Sequence, residues 1–294
     1  MKKENEMPTR EMHGKICLVT GATSGIGKAT ALGLAQMGAT VVMVSRNRAK
    51  GEAVQQEVQT KSGNHDVSVL HADLSSQQSV RELAETFRQE YAHLHVLINN
   101  AGLMRFSHSE TVDGLDTVFA VNYFAPFLLT NLLLDILKRS VPARIINVSS
   151  QAQAATYIHM DHLLARKRYP MMQSYAQSKL DLTMFTYELA RKLQGTGVTA
   201  NCLHPGFVGS NFAQDNLGPV GNTLVKLVFR MGISSEEGAK TSLYLASSPD
   251  MEQVTGKYFV KNVPKRTAPI SYDEALQRQL WQESVRVVKL PNEG

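Results

Sequence analysis

Short apolar runs alternate with amphipathic stretches along most of this 294-residue chain, and that alternation limits its fold more than any other feature. The runs Ile16–Thr20, Thr40–Ser45, Val67–His71, Val96–Asn99, 144–149, 199–204 and 257–260 have the length and β-branched character of strands. Helical periodicity fills the intervals at 27–37, 48–61, 77–91, 127–139, 175–193 and 236–247. Strands separated by helices pair in parallel through right-handed crossovers. The expected fold is therefore α/β: one doubly wound parallel sheet of about seven strands, with helices on both faces. Ligands then gather beyond the carboxyl ends of the strands. Gly38 reads as a helix C-terminal cap, and Ser271 with Glu274 as a capping box ahead of Leu276, Leu280 and Val288.

Composition narrows the function classes. The net charge is +5, but the cations are scattered and form no basic stripe interleaved with aromatics, so no nucleic-acid partner is expected. Cys17 and Cys202 lie in apolar runs and read as buried small hydrophobes. His159 and His162 have no carboxylate or cysteine cluster at ligand spacing, so no metal is expected. No apolar run approaches the roughly 20 residues of a transmembrane helix. The first residues are polar and do not resemble a signal peptide. A cytoplasmic setting is the resulting expectation.

Between the first strand and its helix lies Thr20-Gly21-Ala22-Thr23-Ser24-Gly25-Ile26-Gly27. A glycine loop there lets backbone approach a pyrophosphate, which then meets the unpaired N–H groups of a helix N-terminus. The second strand ends at Ser45, Arg46 and Asn47. A carboxylate at that end would accept from a ribose 2′-hydroxyl, whereas an arginine pairs with a 2′-phosphate. Arg46 therefore points to NADP(H) rather than NAD(H).

Tyr175 and Lys179 are four residues apart and share one helix face. A phenol titrates near a pH of about 10, and a neighbouring ammonium is expected to lower that value. A lowered pKa lets the hydroxyl exchange a proton with a substrate oxygen. A serine pair, Ser149-Ser150, ends the fifth strand; Asn99-Asn100-Ala101-Gly102 ends the fourth; Asn122 follows the apolar segment 118–121.

Together with the glycine loop, these elements resemble the short-chain dehydrogenase/reductase family, a single-domain Rossmann fold, in order from residue 13 to about residue 260. The resemblance implies a flexible segment at 1–12, a catalytic NADP-binding domain at 13–262 and a helix-bearing extension at 263–294. It implies a catalytic tetrad of Asn122, Ser150, Tyr175 and Lys179, with Ser149 structural. Ser150 would orient the carbonyl oxygen and Tyr175 would donate the proton. Lys179 would bind the nicotinamide ribose, and Asn122 would hold a relay water. The implied cofactor contacts are Gly21, Thr23, Ser24, Gly25, Ile26, Gly27, Ser45, Arg46, Asn47, Asp73, Leu74, Asn99, Ala101, Gly102, Tyr175 and Lys179. Beyond the sixth strand they continue with Pro205, Gly206, Val208 and Ser210, where Ser210 stands in place of the family's threonine. Ser150, Tyr175, Met104, Phe207 and Phe212 are the candidate substrate contacts.

The long stretch between Ser150 and Tyr175 is similar to the retinol dehydrogenase-like branch, as is the Leu203-His204-Pro205-Gly206 wording. This implies a small lipophilic aldehyde, ketone or alcohol as substrate. The family also implies a homodimer or homotetramer paired through 112–139 and 175–193. Other readings stand beside this one: a 3-oxoacyl thioester or steroid reductase, and an NADP(H)-binding sensor without catalysis.

Overall fold

In a computed structural model that describes residues 11–105, 107–158, 171–207 and 232–291, the alternation becomes one eight-stranded sheet. The first half runs β1 (Ile16–Thr20), α1 (Gly25–Gln36), β2 (Thr40–Ser45), α2 (Arg48–Ser62), β3 (Val67–His71), α3 (Gln77–Glu90) and β4 (Val96–Asn99). A helical run follows: α4 (Thr117–Phe119), a π turn over Ala120–Phe124, α5 (Ala125–Leu132) and α6 (Leu134–Arg139). After it come β5 (Ala143–Val148), α7 (Met171–Lys192), β6 (Val198–His204), α8 (Ser235–Ser247), β7 (Tyr258–Val260), β8 (Val263–Lys265) and α9 (Glu274–Val287).

The strand order is β3-β2-β1-β4-β5-β6-β7-β8, and every pair is parallel except β7 with β8. The order reverses at β1, so the loops leaving β1 and β4 diverge and open a crevice. Val19, Ile98, Val41 and Leu34 belong to the core on one face, and Leu18, Leu97, Phe119 and Phe185 to the core on the other. Gly38 caps α1 as expected: its N–H bonds Ala35 O, and that of Ala39 bonds Leu34 O.

Three details depart from the sequence reading. The sheet does not stop at residue 262, because β8 adds an eighth, antiparallel strand. Its hairpin turn is Lys261-Asn262 at φ 50° and 63°, a left-handed pair built without the glycine that usually marks such a turn. The last helix is capped by Asp273, whose carboxylate accepts from the N–H groups of Ala275 and Leu276. Ser271 is instead fully buried, its hydroxyl bonded to Ala268 O and Thr267 Oγ1. Met12, within the segment expected to be flexible, is buried, and its N–H bonds Met37 O.

Helix α9 lies on the helices expected to face a partner subunit. Trp281 packs 5.1 Å from the Phe127 ring and 5.7 Å from that of Phe185. Ser284 and Tyr123 bond through their hydroxyls at 2.7 Å, and Lys192 Nζ lies 4.8 Å above the Trp281 ring. Among the described residues, no helix is long and apolar enough to cross a membrane.

Candidate active site

The crevice at the strand-order reversal is a cavity of about 340 Å³. One wall is the β1–α1 loop. Gly21 adopts φ +65°, and a Cβ there would lie 2.9 Å from Ala101 Cα. A Cβ on Gly27 would lie 2.3 Å from Gly21 O and 2.4 Å from Asn100 Nδ2. Hydrogen bonds hold the loop in that shape. Thr20 Oγ1 accepts from the N–H groups of Asn100 and Ala101 at 3.0 Å each, and Asn100 Nδ2 donates to Thr20 O at 2.8 Å. Helix α1 opens with Ser24, which makes no side-chain cap, and its first turn carries no acidic residue. Thr23, Ser24, Gly25, Ile26 and Gly27 all line the cavity. The α1 N-terminus is thus left available to an anion.

At the end of β2, Ser45, Arg46 and Asn47 line the same cavity. The Ser45 hydroxyl donates to Asn47 O, and Asn47 caps α2 by accepting from Lys50 N–H at 2.9 Å. That cap sets Lys50 in the first turn of α2, beside Arg46, where it also lines the cavity. Lys50 was absent from the sequence reading, although the Asn47 cap signal places it. Asp73 and Leu74 form the next part of the wall, as expected, and Ala101 and Gly102 the opposite one. Asn99 does not line the cavity. Its amide donates to Thr130 Oγ1 and Asn147 Oδ1 inside the core, while its neighbour Asn100 meets the glycine loop.

Tyr175 and Lys179 close the far end of the cleft, together with Pro205. Ser150 follows β5, caps the short turn Gln151–Ala155, and hydrogen-bonds the Tyr175 hydroxyl. That turn is anchored from behind, since Gln153 Oε1 accepts from Ala268 N–H. The Ser149 hydroxyl donates to Lys179 O at 2.9 Å, and Ser149 lines the cavity whereas Ser150 does not. Lys179 is buried, with Nζ donating to Val148 O at 2.8 Å and lying 6.0 Å from the centre of the Tyr175 ring.

The electrostatics reverse one expectation. Burial raises the Tyr175 phenol above its ordinary value, opposed by the Ser150 hydrogen bond. Burial also lowers the Lys179 ammonium to about 7. Burial thus acts on both groups against their charged forms, and the Ser150 hydrogen bond is the contribution that favours the phenolate.

Asn122 is fully buried in the π turn. Its side chain accepts from Leu103 N–H and donates to Leu103 O and Ser178 Oγ. Both amide hydrogens are therefore used in tying the 100–103 loop to α7. Met104 is half-buried, Phe207 is half-exposed, and neither lines the cavity; Gly206 also lies outside its lining. Val208, Ser210 and Phe212 lie outside the described residues, as do His159 and His162. Among the described residues, no cluster of three His, Cys, Asp or Glu side chains is placed to hold a metal.

Comparison with known proteins adds the following. Residues 15–218 match the model of the short chain dehydrogenase family. Retinol dehydrogenase 13 of Homo sapiens is 44% identical over 289 residues, covering 94% of this chain and 85% of that protein. An uncharacterized protein from Mycobacterium Paratuberculosis has a crystal structure that superimposes with a TM-score of 0.77 at 31% identity, covering 97% and 96% of the two chains. Pseudomonas aeruginosa RhlG, in an NADP active-site complex, superimposes with a TM-score of 0.68 at 27% identity over 86% of this chain and 97% of that one.

Proposed function

The chain belongs to the short chain dehydrogenase family, in its retinol dehydrogenase-like branch, and from that premise we propose that it moves hydride between NADP(H) and a lipophilic aldehyde, ketone or alcohol. The observation that carries this reading is one cleft with a cationic end at Arg46 and Lys50 and a phenol end at Tyr175, whose hydroxyl is hydrogen-bonded by Ser150 from just outside the lining.

The residues present fit a dinucleotide. A pyrophosphate would rest on the α1 N-terminus, where side chains on Gly21 or Gly27 would collide with the loop. Arg46 would pair with a 2′-phosphate, supported by Lys50. The dinucleotide, when bound, supplies or takes the hydride. Every other part of the chemistry belongs to the chain. In reduction, Ser150 donates a hydrogen bond that orients the substrate oxygen, and Tyr175 gives it a proton. Lys179, tethered at Val148 O, would bind the nicotinamide ribose. Asn122 positions the loop at 100–103 rather than offering a side-chain N–H to a relay water. The RhlG complex with NADP and the substrate in the human relative's name both support the cofactor and substrate classes.

Three measurements test the reading. NADPH oxidation should rise with carbonyl chain length across aldehydes and ketones, with NADH much the poorer cofactor; a preference for NADH or for acyl thioesters would refute it. The double variant Arg46→Ala/Lys50→Ala should raise the NADPH KM about 10- to 100-fold, as expected for lost charge-assisted hydrogen bonds, with the NADH KM nearly unchanged. Tyr175→Phe should lower kcat by about 10²- to 10⁴-fold, the typical worth of a positioned acid. NADPH affinity should stay within about twofold, which is a shift below 0.5 kcal/mol.

A further inference from the structure

A second cavity, of about 610 Å³, opens between α7, β7 and the segment after β8, and shares no lining residue with the cofactor cleft. One wall is aromatic: the Tyr187 and Tyr272 rings stack 5.4 Å apart at 16°. The other residues that matter are cationic. Lys257, Lys265 and Arg266 line the cavity and are exposed, and no carboxylate is among the described residues that line it. From Gln253 to Tyr272 the chain carries four cations and no Asp or Glu.

Tyr258 also lines this cavity. It is only 3% exposed, and its hydroxyl has no hydrogen-bond partner among the described residues. A buried hydroxyl left unpaired costs about 1–3 kcal/mol, so an orphan of this kind marks a place where a polar ligand group is missing.

We propose that this cavity is a second ligand site, for a small organic anion with a flat apolar body. Its ring system lies against the Tyr187–Tyr272 wall. Its carboxylate, sulfate or phosphate meets Lys257, Lys265 and Arg266, and Tyr258 donates to it. A volume of 610 Å³ suits a ligand of drug-like size. Among the described residues the two cavities have no lining residue in common, so a ligand here does not compete with the dinucleotide for space.

Isothermal titration with 2-naphthoate, on enzyme saturated with NADP(H) to fill the first cleft, tests this proposal. One saturable site is expected. Affinity should fall by at least about tenfold in Lys265→Glu/Arg266→Glu, both exposed positions that leave the core intact. It should fall several-fold in Tyr258→Phe. The neutral analogue 2-naphthalenemethanol should bind at least about tenfold more weakly than the anion. Absence of saturable binding, or affinity retained within about twofold in the double variant or by the neutral alcohol, would overturn the proposal.

Discussion

Lys179 shows how far a side chain's surroundings reset its chemistry. In the unfolded chain its ammonium titrates near 10.5, and burial lowers it to about 7 in the folded protein. Between these values the unfolded chain holds a proton that the folded chain has released, so stability rises with pH. The contribution is complete above 10.5 and is lost as pH falls through 7. The thermal midpoint of the cofactor-free enzyme should therefore climb more steeply between about pH 7 and 9 than that of Lys179→Met; parallel curves would disprove the assignment. At this scale the sequence was most informative where a residue type carries its own chemistry. Arg46, Tyr175 and Lys179 sit in the cleft where the spacing put them, and Ser150 bonds Tyr175. It was least informative where two neighbours share a type. Asn99 and Asn100 differ only in which side of the strand end they face, a parity set by the β4 register that no composition reveals. For Tyr175 the Y-x-x-x-K spacing shows proximity, whereas burial, which raises the phenol and lowers the ammonium, is not visible in a spacing.

At the scale of elements, the β1–α1 loop holds the closest glycine approach among the described residues. It is fixed by Thr20, Asn100 and the close passage of Gly21 over Ala101. Gly27→Ala forces a methyl to within 2.3 Å of the Gly21 carbonyl oxygen, and that obstacle is backbone. The substitution should cost about 1–3 kcal/mol of stability, the range for overpacking, and should also reduce NADPH affinity. Denaturant unfolding and cofactor titration on the same sample check both; unchanged values would mean that the loop gives way. Element existence was legible because period and length agree over seven strands. Boundaries were not, and the misses have local causes. The β7–β8 hairpin turns on Lys261-Asn262, a pair without glycine, and β8 is three exposed residues with no alternation to detect. Ser271 and Asp273 are both competent caps two residues apart. The contest was settled by Thr267 and Ala268, which engage the serine hydroxyl.

For the whole molecule, α9 matters most. Leu280, Trp281, Val285 and Val288 belong to the same buried cluster as Phe127, Leu182 and Phe185, so the C-terminal helix is part of the core and not an appendage. Trp281 is the chain's single tryptophan. Its fluorescence should follow the undocking of α9, and in urea it should change together with far-UV circular dichroism, as one cooperative unit. An earlier fluorescence transition would show that α9 leaves first. Trp281→Ala should cost about 3–5 kcal/mol, the range for removing a large buried aromatic. The apolar run at 124–134 had two uses open to it from sequence alone, a partner subunit or the chain's own core. Nothing in its pattern distinguishes them, because both demand the same apolar face. Within the chain the distal segment covers part of that face through side chains more than 140 residues away, such as Trp281 on Phe127.

Both thiols of the chain, Cys17 and Cys202, are fully buried, and burial pushes each up to about 12. A thiolate is the reactive form, so near neutral pH the native protein is almost silent toward maleimides and iodoacetamides. A cysteine introduced on the surface, for instance at Lys265 beside the second cavity, would then carry a dye or spin label alone. The native sequence is already a low-background chassis for site-selective spectroscopy.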